Sequence, residues 1–321
     1  MSALTAGLVT AGGIALLVVG GELLVRGAVS IARLARVSTA VIGLTIVAIG
    51  TSAPELAVSL TAAVSGQPDI AVGNVVGSNI FNVTVILGVA SLLLPLTVHM
   101  TAVRLEWPFM VAAAGLFLIL ARDGRIDRLE GGFFLFSLVA FLAYVVRASR
   151  LEINATAQRE FADSVDALTL RTTGRRAIID FVSVLAGLGI LVLGAKMLVG
   201  GGTGLARLAG ISDRVIGLTI AAAGTSLPEL ATSIVAARRG QPDIALANVL
   251  GSNIFNVLGI LGIVALVTPQ TVHPAIVSSD NWWMVGTALL LFPLMLSGRR
   301  IARWEGAVLL VAYAVYLRTL W

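Results

Sequence analysis

The chain has 321 residues, of which 58% are hydrophobic and 12% charged, about half the ~25% charge of ordinary soluble domains. Its mean hydropathy of +0.98 excludes a water-soluble enzyme and marks a polytopic membrane protein. There is no cysteine, which removes disulfides, thiolate metal sites and cysteine nucleophiles, and the net charge of +5 comes from arginines between apolar runs. Those arginines read as topology determinants rather than as a nucleic-acid footprint.

Cutting at charged or Pro/Gly-rich breaks leaves ten apolar stretches, at 5–33, 38–65, 69–93, 102–121, 127–147, 176–204, 213–237, 243–267, 281–297 and 302–320. Each is near the ~20 residues that a bilayer core requires, so an all-α fold of ten transmembrane helices is predicted. No positive charge precedes the first run, Arg26 being the first arginine, so that helix is expected to stay rather than be cleaved as a signal. Loop Lys and Arg number six on the side holding both termini and fourteen on the other. The positive-inside rule then puts both termini on the extracellular or periplasmic side of a prokaryotic inner membrane. The one long polar stretch, with Glu152, Glu160, Asp163 and Asp166 among arginines, reads as a cytoplasmic linker over 149–175, solvated or partly an interfacial helix. It joins 1–148 to 176–321.

Those two halves are one unit written twice. Gly43 to Gly88 align without a gap to Gly217 to Gly262 at a constant offset of 174, with 33 identities in 46 positions. Shorter matches extend the relation: Arg33-Leu34-Ala35 with Arg207-Leu208-Ala209, Thr97-Val98-His99 with Thr271-Val272-His273, and Glu130-Gly131 with Glu305-Gly306 after one inserted residue. Five spans per half is an odd number, so equivalent helices cross the membrane in opposite directions. This is the inverted-repeat plan of secondary transporters, whose sites lie near the midplane where the repeats meet.

Within the repeat, Gly50-Thr51-Ser52-Ala53-Pro54-Glu55 and Gly224-Thr225-Ser226-Leu227-Pro228-Glu229 put a proline and a carboxylate inside apolar spans. Proline breaks the helical hydrogen-bond ladder, and such breaks at membrane depth are tolerated where they line a cavity. An ionised Glu there costs at least ~2.5 kcal/mol, which makes it a functional site by default. Apart from Arg214 at the very start of 213–237, no basic residue lies in these two spans or in 69–93 and 243–267 to neutralise the pair. The adjacent helices carry Asn74, Ser78 and Asn82, and again Asn248, Ser252 and Asn256, each set a single polar stripe at i, i+4, i+8. Such a stripe can also glue helices together, with Gly77 and Gly251 allowing close approach. Two carboxylates with hydroxyls, amide oxygens and freed carbonyls make an all-oxygen set suited to Ca²⁺, Mg²⁺, Mn²⁺ or Na⁺ rather than zinc or copper. Two negative charges balance one divalent or two monovalent ions, the requirement for exchange through one site.

At these residues the chain resembles the cation/calcium antiporter superfamily, and most closely its prokaryotic sodium/calcium exchangers, whose two alpha-repeats look like GTSxPEL and GNxxGSNIFN here. The resemblance covers essentially the whole chain. It implies that Glu55 and Glu229 coordinate Ca²⁺, that Thr51, Ser52, Thr225, Ser226, Ser78 and Ser252 add oxygens for Ca²⁺ and Na⁺, and that the carbonyls of Ala48 and Ala222 serve outer sodium positions. It further implies that the first and sixth helices slide as the gate, and that no cofactor is needed besides the transported ions. Some family members have an acidic residue at the position of Asn256, whereas Asn82 and Asn256 are both amides here. That departure leaves H⁺ coupling, or another divalent cargo, as the alternative to Na⁺ coupling. A channel, or a membrane hydrolase, would be the competing classes. The hydrolase has no HExxH, no GxSxG and no histidine in the polar core. A monomer in the lipid bilayer, without nucleic-acid partners, is expected.

Four other features stand apart from that set. His99 and His273 are equivalent and read as interfacial residues with local hydrogen bonds, or as a pH-sensing pair. Glu22 and Lys196 are also equivalent and opposite in charge, which allows a mutual latch or independent snorkelling. Asp69 and Asp243 fit helix N-termini. Trp107, Trp282, Trp283, Trp304 and Trp321 fit interfacial anchors.

Overall fold

A computed structural model describes residues 2–35, 37–163, 174–210 and 222–320. Its helices are α1 (Ala3–Ala35), α2 (Thr39–Thr51), α3 (Ala53–Val64), α4 (Pro68–Leu93), α5 (Ala102–Asp123), α6 (Arg128–Asp163), α7 (Gly174–Leu208), α8 (Leu227–Arg238), α9 (Pro242–Val267), α10 (Ile276–Arg299) and α11 (Arg303–Thr319). Among the described residues seven helices are long and apolar enough to cross a membrane, or eight with α2 and α3, bent by 44°, taken as one span. The chain is therefore a helical, polytopic membrane protein. The stretch expected over 213–237 lies partly outside the described residues. α6 continues past the expected end of its span to Asp163, and α7 starts at Gly174, so helix extends from both sides into the segment expected as a linker.

The span expected as a single helix over 38–65 is broken, and the break falls before the proline rather than at it. Ser52 leaves the helix at φ −81°, ψ 8° and Pro54 sits in the first turn of α3, where a missing N–H costs nothing. Ser226 (φ −89°, ψ 8°) and Pro228 repeat the arrangement at α8. Widened π-helical turns occupy Asn82–Ile86 and Ala102–Glu106, and again Phe255–Ile260 and Ile276–Asp280. Such turns insert an extra residue and cluster at functional sites. The Glu130/Glu305 match also has a local cause: Glu130 accepts from the Asp127 N–H at 2.9 Å, as Glu305 does from the Ala302 N–H at 2.6 Å, each closing the start of a helix.

Among the described residues, four two-residue strands define the two faces. β1 (Leu96–Thr97) pairs antiparallel with β4 (Arg300–Ile301), and β2 (Arg125–Ile126) with β3 (Gln270–Thr271). α5 separates β1 from β2, and α10 separates β3 from β4, so the pairs lie on opposite faces about one bilayer thickness apart. Following the helices from there, α4 starts and α11 ends at the β2–β3 face. α1 ends at the β1–β4 face, where the Ser38 N–H donates to Ser149 Oγ at 2.9 Å. Both ends of the described chain thus lie at the β2–β3 face.

At the centre are α4 and α9, 78% and 89% buried over their apolar windows, against 33% for α1. On the periphery, α1 and α7 form the most extensive helix pair. Gly13, Gly20 and Gly27 of α1 meet Gly194, Gly187 and the Asp180 carbonyl of α7. A Cβ on Gly20 would stand 2.8 Å from the Leu191 nitrogen and 2.9 Å from the Gly187 oxygen. Only glycine lets the two backbones lie this close.

Candidate cation-binding site

Glu55 and Glu229 each stand in the first turn of a helix that restarts after the break, and both are fully buried. A helix N-terminus favours negative charge. The breaks also aim the preceding serines across the molecule. Ser52 Oγ donates to Glu229 Oε1 at 2.9 Å, and Ser226 Oγ donates to Glu55 Oε1 at 2.9 Å. Each half of the chain therefore holds the other half's carboxylate. The second oxygens, Glu55 Oε2 and Glu229 Oε2, are buried without a hydrogen-bond partner, an arrangement that is costly unless a cation meets them.

The amides are set by residues that sequence reasoning missed. Asn79 and Asn253 hold each other's backbone reciprocally, Asn79 Nδ2 donating to the Asn253 carbonyl at 3.3 Å and Asn253 Nδ2 to the Asn79 carbonyl at 3.2 Å. Their side-chain oxygens then accept from Asn256 Nδ2 and Asn82 Nδ2, both at 3.1 Å. With their nitrogens engaged, Asn82 Oδ1 and Asn256 Oδ1 are left buried and unpartnered, as is Ser252 Oγ. The signal was present in GSNIFN, whose two asparagines stand three apart, but the stripe at i, i+4, i+8 directed attention to only one of them. Asn74 and Asn248 serve packing: they donate to the carbonyls of Glu55 (3.2 Å) and Glu229 (3.5 Å) and to Ser59 and Ser233.

The remaining expected residues divide. Ser78 is buried and lines a cavity that Thr225 also lines. Thr51 Oγ1 donates toward Asn248 Oδ1 and the Ala48 carbonyl, both at 3.3 Å. That carbonyl also accepts from the Ser52 N–H at 3.0 Å, so protein donors engage it. Ala222 begins a short helical turn through Gly224; its side-chain surroundings lie outside the described residues. Among the described residues no cluster of three or more His, Cys, Asp or Glu exists. A divalent ion here would complete two carboxylates with neutral oxygens, as hard cations accept.

The cavity, of about 410 Å³, runs from Asp69 and Leu320 at the β2–β3 face past Gly73, Asn74 and Gly77 to Ser78 and Thr225. The equivalent Ala247, Asn248 and Gly251 are buried. The cavity thus reaches Ser78 and Thr225 from the β2–β3 face, short of the two buried carboxylates, and the equivalent approach from the other face is closed. On the closed face His99 Nε2 lies 3.0 Å from Asp243 Oδ1, a contact across the fold and not the local one expected, whereas His273 does bond locally, accepting from the Ala275 N–H at 3.2 Å. Glu22 pairs with Arg239 and with Arg26, the latter at 3.1 Å, and not with Lys196. Trp107 is no simple anchor: its Nε1 donates to the Ala288 carbonyl at 2.7 Å and its ring stacks on Phe292.

The sodium/calcium exchanger protein family model matches residues 5–147 and again 179–321. The chain is 40% identical over 308 residues to CaxA of Alkalimonas amylolytica, covering 95% of both. It is 34% identical over 333 residues to the sodium/calcium exchanger MaX1 of Methanosarcina acetivorans, again 95% of both. Its fold matches a solved structure of the sodium-calcium exchanger NCX_Mj with a TM-score of 0.83 at 29% identity, over 100% of each chain. The chain belongs to the sodium/calcium exchanger protein family, a family of membrane antiporters that carry cations and Ca²⁺.

Proposed function

We propose that this antiporter exchanges Ca²⁺ for Na⁺ by alternating access through the site between Glu55 and Glu229. In this reading the chain crosses the membrane ten times, as inverted five-helix repeats over 1–148 and 176–321 joined by 149–175. The β1–β4 face is cytoplasmic, Ca²⁺ is extruded, and the protein acts as a monomer. The observation that carries the reading is the crossed pair of Ser–Glu bonds around unpartnered oxygens of Glu55, Glu229, Asn82, Asn256 and Ser252. Two carboxylates neutralise one Ca²⁺ or two Na⁺, and overlapping oxygen shells make their occupancy exclusive, which is what couples two fluxes. Thr51, Thr225, Ser78 and the carbonyls of Ala48 and Ala222 complete the shells in this reading. Engagement of the two Asn82/Asn256 amide nitrogens supports their oxygens as ligands.

The test is Ca²⁺ uptake into liposomes loaded with Na⁺ and diluted into Na⁺-free medium. Uptake requires internal Na⁺ and is lost in both Glu55→Gln and Glu229→Gln. Uptake that ignores Na⁺ and follows an imposed pH gradient would replace this reading with proton coupling. Downhill flux without a counter-ion would replace it with a channel.

A further inference from the structure

The two halves of the fold are near-copies, yet the gate helices sit on them unequally. α1 packs along α8, with Val235 3.1 Å from where a Cβ on Gly21 would lie and a smaller cavity of about 290 Å³ beside the contact, lined by Glu22, Val235 and Arg239. The equivalent pair, α7 and α3, is held apart by a cavity of about 540 Å³ lined by Ala53, Pro54, Ala57, Lys196, Val199 and Thr225. The glycine seam packs α1 against α7 along much of its length, so in the alternating-access reading the pair moves as one body. When α7 closes on α3, α1 must leave α8.

One contact resists that movement. The Arg239 guanidinium, at the end of α8, meets the Glu22 carboxylate, and an arginine can hold a carboxylate through two parallel N–H donors. Arg26 adds a contact at 3.1 Å. The pair is about one-third exposed on each side, at the edge of the bilayer where screening is weaker than in water.

Nothing on the other half repeats it. At the offset of 174, Glu22 corresponds to Lys196, Arg239 to Ser65, Arg238 to Val64 and Arg26 to Gly200. α3 carries no carboxylate except Glu55, so the reverse position would press Lys196 onto α3 without a counter-ion beside it. We propose that the Glu22–Arg239 pair is a one-sided latch that holds the α1–α7 gate open to the β2–β3 face, with the unmatched Lys196 disfavouring the opposite position. The latch, resting on the alternating-access reading, biases the two states and leaves the ion site untouched; Glu22 and Arg239 are positioning residues.

The natural absence of cysteine makes single reporters clean. Ala57→Cys lines the larger cavity and is exposed, whereas Val235→Cys is buried under Gly21, at the edge of the smaller one. Their labelling rates by a small cationic methanethiosulfonate, measured in liposomes with and without Ca²⁺, report the balance of states. Glu22→Gln and Arg239→Gln are each expected to lower the Ala57→Cys to Val235→Cys rate ratio about three- to tenfold, the range between exposed and half-buried ion pairs. Lys196→Leu shifts it the same way, and Arg239→Lys restores most of the parent ratio. A ratio unmoved by both Gln variants, while Ca²⁺ still changes labelling in the parent, overturns the latch. Labelling in the parent that does not respond to Ca²⁺ or Na⁺ overturns alternating access itself, and the latch with it.

Discussion

Ser52 stands three residues from Glu55 in sequence but bonds Glu229, 177 residues away, at 2.9 Å. Removing the hydroxyl in Ser52→Ala strips Glu229 Oε1 of its donor in a fully buried site. A hydrogen bond to a charged group contributes about 1.5–3 kcal/mol. Part of that is lost equally with and without the ion. The part expressed in affinity is the cost of re-aiming a carboxylate on binding, about 1–1.5 kcal/mol, or a five- to tenfold rise in Kd. The assay is Ca²⁺ titration by calorimetry on detergent-solubilised protein, arranged as two double-mutant cycles. Glu229→Asp withdraws the carboxylate from Ser52, so adding Ser52→Ala to it should change little, a coupling of about 1 kcal/mol. Ser52→Ala combined with Glu55→Asp should be additive within about 0.5 kcal/mol. Ser226→Ala should behave as the mirror image, coupled to Glu55 and not to Glu229. Coupling of each serine to the glutamate of its own segment, or to neither, would refute the crossed arrangement.

Asn253→Ala removes a donor to the Asn79 carbonyl and the acceptor of Asn82 Nδ2; orphaning two buried groups should cost about 2–4 kcal/mol, read as a lowered Tm together with a raised KM for Ca²⁺. Gly20→Val drives a side chain into the backbone of α7, an overpacking of about 1–3 kcal/mol or more, and should slow transport while leaving the ion shell intact; Gly189→Ala, with nothing within 4 Å of the new Cβ, is the matched control in a thermal-shift and flux comparison. Ca²⁺ at a hundred times its Kd should stabilise the folded protein by about 2.7 kcal/mol, a rise in Tm that chelation reverses and that Glu55→Gln lacks.

Much of the plan is legible in one dimension. Hydropathy over the whole chain requires a bilayer, because twenty apolar residues in a row have no other solvent. The duplication at an offset of 174 and the Pro-Glu pairs inside apolar spans mark where a helix must break and where a charge must be answered. The positions of Glu55 and Glu229 follow from that alone. What the sequence could not decide is who answers whom. A duplicated motif offers each serine two chemically identical glutamates, and only the tertiary fold, by bringing Ser52 beside Glu229, assigns the pair. GSNIFN displays Asn79 and Asn253 as polar residues, but the same ambiguity hid their role, because their partners are each other's backbone, 174 residues away. That ambiguity also concealed the choice between the two faces. The residues that differ between the halves, Glu22 against Lys196 and Arg239 against Ser65, are legible in the sequence, but only the tertiary structure brings Glu22 to Arg239 and seats α1 on α8 while a cavity separates α7 from α3. The physical reason is that a repeat encodes its contacts locally, whereas the asymmetry of a transporter resides in how two rigid bodies rest against each other.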